Sequence, residues 1–147
     1  MLKYSRISLT LWILVICIPF LSGCGEVLNE YYISNHTDST LDTSLVPFFI
    51  ETVDLSSGLL IEDIQSSARS SLPQAMSYER EGDTLQFAIP PKTTVFLGIS
   101  SGGNDLFQEL EVSSSDRQLI MDDNNYDEYF TVHDNFIGAV VHVLNVD

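Results

Sequence analysis

The sequence, 147 residues long, predicts an all-β fold, an antiparallel two-sheet sandwich, and three features carry that expectation. After residue 30, apolar side chains recur at every second position over most of the chain, the period of a strand with one buried face. β-branched and aromatic residues crowd the same stretches. Clusters of Gly, Pro, Ser, Asn and Asp interrupt them at intervals of roughly 8–12 residues, the spacing of turns in sandwiches and barrels. A small β-barrel is the alternative closure.

The elements follow in order. Residues 31–34 and 40–46 read as strands around a turn at Asn35, His36, Thr37 and Asp38. Segments 48–55 and 59–64 flank Ser56, Ser57 and Gly58, which suggests a hairpin. Residues 65–76, rich in serine and holding Pro73, read as a loop with one helical turn. The clearest alternation is 84–90, where Leu85, Phe87 and Ile89 oppose Thr84, Gln86 and Ala88. After a turn at Pro90, Pro91 and Lys92, segment 93–100 places Val95, Leu97 and Ile99 on one face. Beyond a turn at 101–105, segment 106–112 sets Leu106, Gln108, Leu110 and Val112 against Phe107, Glu109 and Glu111. Residues 112–125 are polar and acidic, with a short strand at Leu119, Ile120 and Met121. Segments 129–133 and 136–146 end the chain. The last is apolar on both faces, as a central strand would be, and Gly138 suits a bulge there.

The start of the chain obeys different physics. Lys3 and Arg6 supply positive charge with no acidic residue nearby, and an apolar run over 7–21 follows. That run is shorter than the roughly 20 apolar residues a membrane-spanning helix needs. It closes on Leu21, Ser22, Gly23 and Cys24, small residues before a cysteine. This arrangement resembles the lipobox of bacterial lipoproteins. The resemblance implies that residues 1–23 are a cleaved signal peptide and that Leu21, Ser22 and Gly23 are read by its peptidase. It further implies that Cys24 carries a covalent diacylglyceryl lipid. The expected organisation is then a leader at 1–23, a short lipidated tether at 24–29, and one β-sandwich domain at 30–147. The expected location is the cell envelope, held to a membrane by lipid. In hosts with two membranes Gly25, in place of Asp, favours the outer one; in others the site is the outer face of the plasma membrane.

Charge points to solubility and, beyond that, to cation binding or a basic partner, and cysteine usage agrees with the lipid anchor. Two of the six basic residues lie in the leader and all 21 acidic residues lie after it, so the remaining side chains balance at −17. Such a surface repels phosphate backbones, so no nucleic-acid partner is expected. It repels anionic headgroups as well, so the domain is expected to stand off the membrane. Cys17 leaves with the leader and Cys24 is consumed by lipid, which leaves no thiol for a disulfide or a metal.

In two places, residues 31–41 and 89–94, the chain faintly resembles immunoglobulin-like modules of bacterial envelope proteins, which implies a sandwich of that type. The cysteine pair and core tryptophan of antibody domains are absent, since the single tryptophan is Trp12.

Few constellations suggest chemistry. Asp122, Asn124, the Tyr126 carbonyl and Glu128 alternate oxygens as a Ca²⁺ loop would, without the turn glycine or distal carboxylate of an EF-hand. His36, His133 and His142 lack metal spacing. No Gly-x-Ser-x-Gly elbow occurs, and no catalytic residues are expected. Exposed aromatics are the better signal. Tyr31–Tyr32 and Phe48–Phe49 are adjacent pairs, and strand neighbours face opposite ways. With Tyr78, Tyr126, Tyr129 and Phe130 they form a set in which one of each adjacent pair either lies outside a single core, as at a ligand or partner surface, or fills the edges of the core of a sandwich. The expected function is a non-enzymatic module contacting another envelope or extracellular protein. A small-molecule or Ca²⁺-binding module using residues 122–128 is the alternative.

Overall fold

A computed structural model describes residues 27–65, 68–101, 106–135 and 139–147. These form a two-sheet β-sandwich rather than a closed barrel. Eleven strands are assigned: β1 (Leu28–Asn35), β2 (Leu41–Pro47), β3 (Val53–Leu59), β4 (Gln74–Ala75), β5 (Glu79–Glu81), β6 (Thr84–Ile89), β7 (Thr93–Ser101), β8 (Phe107–Ser113), β9 (Gln118–Asp122), β10 (Phe130–Asn135) and β11 (Ala139–Val146). The six-stranded sheet runs β10-β11-β1-β7-β3-β4, and the five-stranded sheet runs β5-β6-β2-β8-β9. All pairings are antiparallel except β1 with β11, which run parallel from Leu28↔Ala139 to Asn35↔Val146. As its two-sided apolar pattern predicts, β11 lies inside its sheet. The suggested bulge at Gly138 lies outside the described residues, as do the turn residues 102–105.

Alternating side chains of both sheets fill the space between them. Tyr31 and Ile33 of β1, Leu41 and Leu45 of β2, Leu85 and Ile89 of β6, Val95 and Leu97 of β7, and Leu110 of β8 are buried there. Each such side chain contributes about 1.5–3 kcal/mol when fully removed from water. A second, smaller core lies on the opposite face of the six-stranded sheet. There Tyr32, Phe96, Val141 and Val143 meet Ile64, Ala68 and Leu72 from the segment joining β3 to β4. That segment includes the expected single helical turn, a 3-10 turn at Ala68–Ser71.

The structure corrects several sequence expectations. Ser56, Ser57 and Gly58 form no hairpin; they lie within β3, and residues 60–64 are not a strand. Glycine is required at 58 because a Cβ would lie 2.8 Å from Leu72 Cδ2 and 2.9 Å from the Ser71 carbonyl oxygen. Part of segment 48–55 is the 3-10 turn Ile50–Thr52 rather than strand. Ile99 does not share a face with Val95 and Leu97. A bulge pairs Tyr31 with Gly98 but Tyr32 with Phe96, so the phase slips and Ile99 packs against the outer core. A second bulge pairs Val46 with Glu109 but Pro47 with Phe107. It turns Phe107 into the main core and leaves Gln108 exposed, the reverse of strict alternation. β1 starts at Leu28, two residues before the domain boundary drawn at 30.

Asn35 ties two turns together at the end where β1 finishes. Its Nδ2 lies 2.9 Å from the carbonyl oxygens of Ser39 and Pro90 and 3.2 Å from that of Ile89. Its Oδ1 accepts from the Thr37 amide and hydroxyl at 3.0 and 2.7 Å. The side chain is fully buried, so these bonds satisfy polar atoms that water cannot reach.

Candidate functional site

The residues that carry the anchor reading, Leu21, Ser22, Gly23 and Cys24, lie outside the described residues. The other candidates can be placed.

The acidic segment after β9 is a self-bonded turn. Asp122 Oδ1 accepts from the Asn124 amide at 2.8 Å, and Asn125 Oδ1 accepts from the Asp122 amide at 2.8 Å. Asn124 Nδ2 donates to Asp123 Oδ1 at 2.8 Å. The Tyr126 carbonyl accepts from the Tyr129 amide at 3.0 Å, closing the 3-10 turn Tyr126–Glu128. Two of the four proposed ligands, Asp122 Oδ1 and the Tyr126 oxygen, thus already hold backbone donors. Among the described residues no three His, Cys, Asp or Glu side chains gather as a metal group. The Tyr126 ring packs edge-on against Phe107 and Phe130, with centroids 6.4 and 6.3 Å apart. Its role here is to close the side of the core.

The histidines do not converge. His142 is buried and stacks on Tyr31, centroids 4.5 Å apart and planes 10° from parallel, with Nε2 3.2 Å from Asn29 Oδ1. His133 is exposed and pairs with Val141, so it lies on the other face of the sheet. His36 sits by the Asn35 turn, Nε2 3.2 Å from Asn145 Oδ1.

The aromatic pairs depart from the expectation in opposite directions. Tyr31 and Tyr32 do face opposite ways, yet both are buried, because the outer core receives Tyr32. Phe48 and Phe49 are both partly exposed, at 39% and 59%, because the β2–β3 connection, not a strand, carries them. Tyr129 is exposed and Phe130 buried.

Beneath Tyr32 lies a buried carboxyl that sequence reasoning missed. The Tyr32 hydroxyl donates to Glu30 Oε2 at 2.9 Å. Burial pushes the Glu30 carboxyl above its usual range, against the opposing pull of the Tyr32 hydrogen bond and the Arg69 charge. Burial likewise raises Tyr32, helped by the Glu30 carboxylate. Arg69 lies 5.1 Å over the Phe96 ring and pairs with Asp54. This cluster pins the covering segment onto the sheet. The period-two pattern gives no sign of it, because Glu30 reads as an ordinary solvent-facing acid.

Among the described residues nothing covers the outer face of the five-stranded sheet. This face holds an open groove of about 640 Å³ lined by Asp42, Ser44, Tyr78, Glu79, Gln86 and Glu111, with no basic residue among the described residues of its lining. Register explains the composition. Ser44 pairs with Gln86 and Glu111, Gln86 pairs with Glu79, and Asp42 pairs with Ala88 and Ser113, so these side chains form adjacent rows on one face. The groove presents carboxylates, amide and hydroxyl groups and one aromatic ring along the sheet. That chemistry suits a ligand or partner surface with donors and positive charge. In sequence the signal was the polar half of each alternating strand, but its assembly depends on non-local register.

No family model matches this chain, and neither a curated protein nor a solved structure does.

Proposed function

We propose that this chain is a lipid-anchored cell-envelope lipoprotein whose β-sandwich is a non-enzymatic binding or structural module contacting another envelope or extracellular protein. The observation that carries the proposal is the leader, with Lys3 and Arg6, then the apolar run, then Leu21, Ser22, Gly23 and Cys24. Two or three acyl chains on Cys24, at about 0.8 kcal/mol per buried methylene, hold a domain of this size at a membrane durably. A structured domain beginning at Leu28 suits such a short tether. The acidic outer face of the five-stranded sheet, uncovered among the described residues, favours a partner with a basic surface.

Fractionation of the parent and Cys24→Ala proteins, with mass spectrometry of the N-terminal peptide, tests the anchor. The parent is expected in the membrane fraction with acyl mass on Cys24, and any processed variant in the soluble fraction. A processed Cys24→Ala protein that stays membrane-bound overturns the anchor. Crosslinking of the parent tests the partner; failure to recover a reproducible protein contact overturns that half.

A further inference from the structure

We infer that the end of the sandwich carrying Phe48 and Phe49 rests in the lipid interface, so that the domain stands end-on with the Asn35 turn farthest from the membrane. This rests on the lipid-anchor reading above.

Register places the aromatic pair at the end where β1 enters. Leu28, the first residue of β1, lies opposite Ser101, the last of β7. β3 begins at Val53 opposite Gly98, near that same end of β7. β2 finishes at Pro47 opposite Phe107, the first residue of β8. The connection carrying Phe48 and Phe49 therefore crosses between the sheets where β1 starts, and the Phe48 amide is held by the Leu106 carbonyl at 3.2 Å. Val27 and Leu28, at the same end, are also exposed apolar residues.

Chain length then selects the occupant. Leu28 follows Cys24 by four residues, and four residues span at most about 14 Å when extended. A lipidated Cys24 thus keeps this end within that distance of the bilayer surface, and contact becomes an intramolecular event at high effective concentration. Interfacial aromatic and aliphatic side chains sit about 5–10 Å into the headgroup boundary. Glu51, Arg80 and Asp83 line the hollow that holds both rings, and Glu109, Asp122 and Asp123 lie beside Phe48; with five carboxylates against one guanidinium, the contact fits a zwitterionic surface and is opposed by an anionic one.

The sequence makes a clean probe possible, because Trp12 is the only tryptophan and leaves with the leader. The lipidated Phe49→Trp protein is placed in phosphatidylcholine vesicles with and without brominated acyl chains. A Leu59→Trp protein serves as the distal control; Leu59 is 87% exposed and lies opposite Thr93, at the far end of β7. The Phe49→Trp emission is expected to shift blue and to be roughly halved by brominated lipid, as suits the depth of an interfacial side chain. Leu59→Trp emission is expected to be unchanged, and adding anionic lipid is expected to weaken the Phe49→Trp quenching. Absence of quenching in a protein whose acylation is verified by mass overturns the contact and leaves the anchor standing. Quenching at both positions overturns the end-on orientation. Absence of acyl mass overturns the anchor itself.

Discussion

The two sheets bury their inner faces alike but treat their outer faces differently. The outer face of the six-stranded sheet carries Tyr32, Phe96, Val141 and Val143, and the segment between β3 and β4 covers them. The outer face of the five-stranded sheet carries Asp42, Ser44, Gln86 and Glu111, and nothing among the described residues covers it. A face that is apolar must find a lid within its own chain, whereas a polar face can remain open to other molecules. The difference separates surface spent on stability from surface free for recognition.

Substitutions can sharpen or break that comparison. The largest effect is expected for Phe96→Ala beneath the lid. Removing a fully buried ring costs about 3–5 kcal/mol, read as a lower urea midpoint. A loss below 1 kcal/mol would show that the lid contributes no real core. Gly98→Ala comes next. The residue has φ 156°, and an added Cβ would lie 2.3 Å from the Thr52 carbonyl oxygen, so a cost of about 2–3 kcal/mol is expected from strain and displaced backbone. An unaffected midpoint would mean the bulge relaxes freely.

The Glu30→Gln exchange has a smaller, pH-dependent effect. Glu30 has its carboxyl pKa raised in the folded state, so its contribution to stability is full at low pH and is lost as pH rises through the folded value. Glutamine keeps an acceptor for the Tyr32 hydroxyl and does not titrate. The variant should therefore gain on the parent when denaturation is repeated at rising pH from acid to neutral. Parallel curves would rule out a strained buried carboxyl. The smallest effect is expected for Gln86→Ala on the bare face, within about 0.5 kcal/mol in stability, with any loss appearing as weaker crosslinking to the partner. A large stability loss there would erase the distinction between the two faces.

The sandwich was legible because alternation is local. β6 and β7 announce themselves in Leu85, Phe87 and Ile89 and in Val95 and Leu97. What failed was constancy of phase. The bulges at Leu97–Gly98 and Gln108 each add a residue to one strand, and a period-two reading carried across them puts Ile99 and Phe107 on the wrong faces. Gly58 misled for a related reason. Its neighbours Ser71 and Leu72 come from 13 and 14 residues later in the chain, and only their close approach shows why a strand interior holds glycine. The groove and the Glu30–Tyr32 pair depend likewise on which strands become neighbours, which no local pattern encodes.

The parallel pairing of β1 and β11 has a consequence for how the protein is made. The first strand of the domain pairs with β7 on one side, but its other neighbour, β11, comes only at residues 139–146, more than a hundred positions downstream. The six-stranded sheet thus cannot be completed on a partial chain, and closure waits on the slowest kind of contact, one with a long loop to order. For the exported chain proposed here, that delay keeps the polypeptide threadable while it crosses the membrane, and only a molecule delivered in full can shut its sheet.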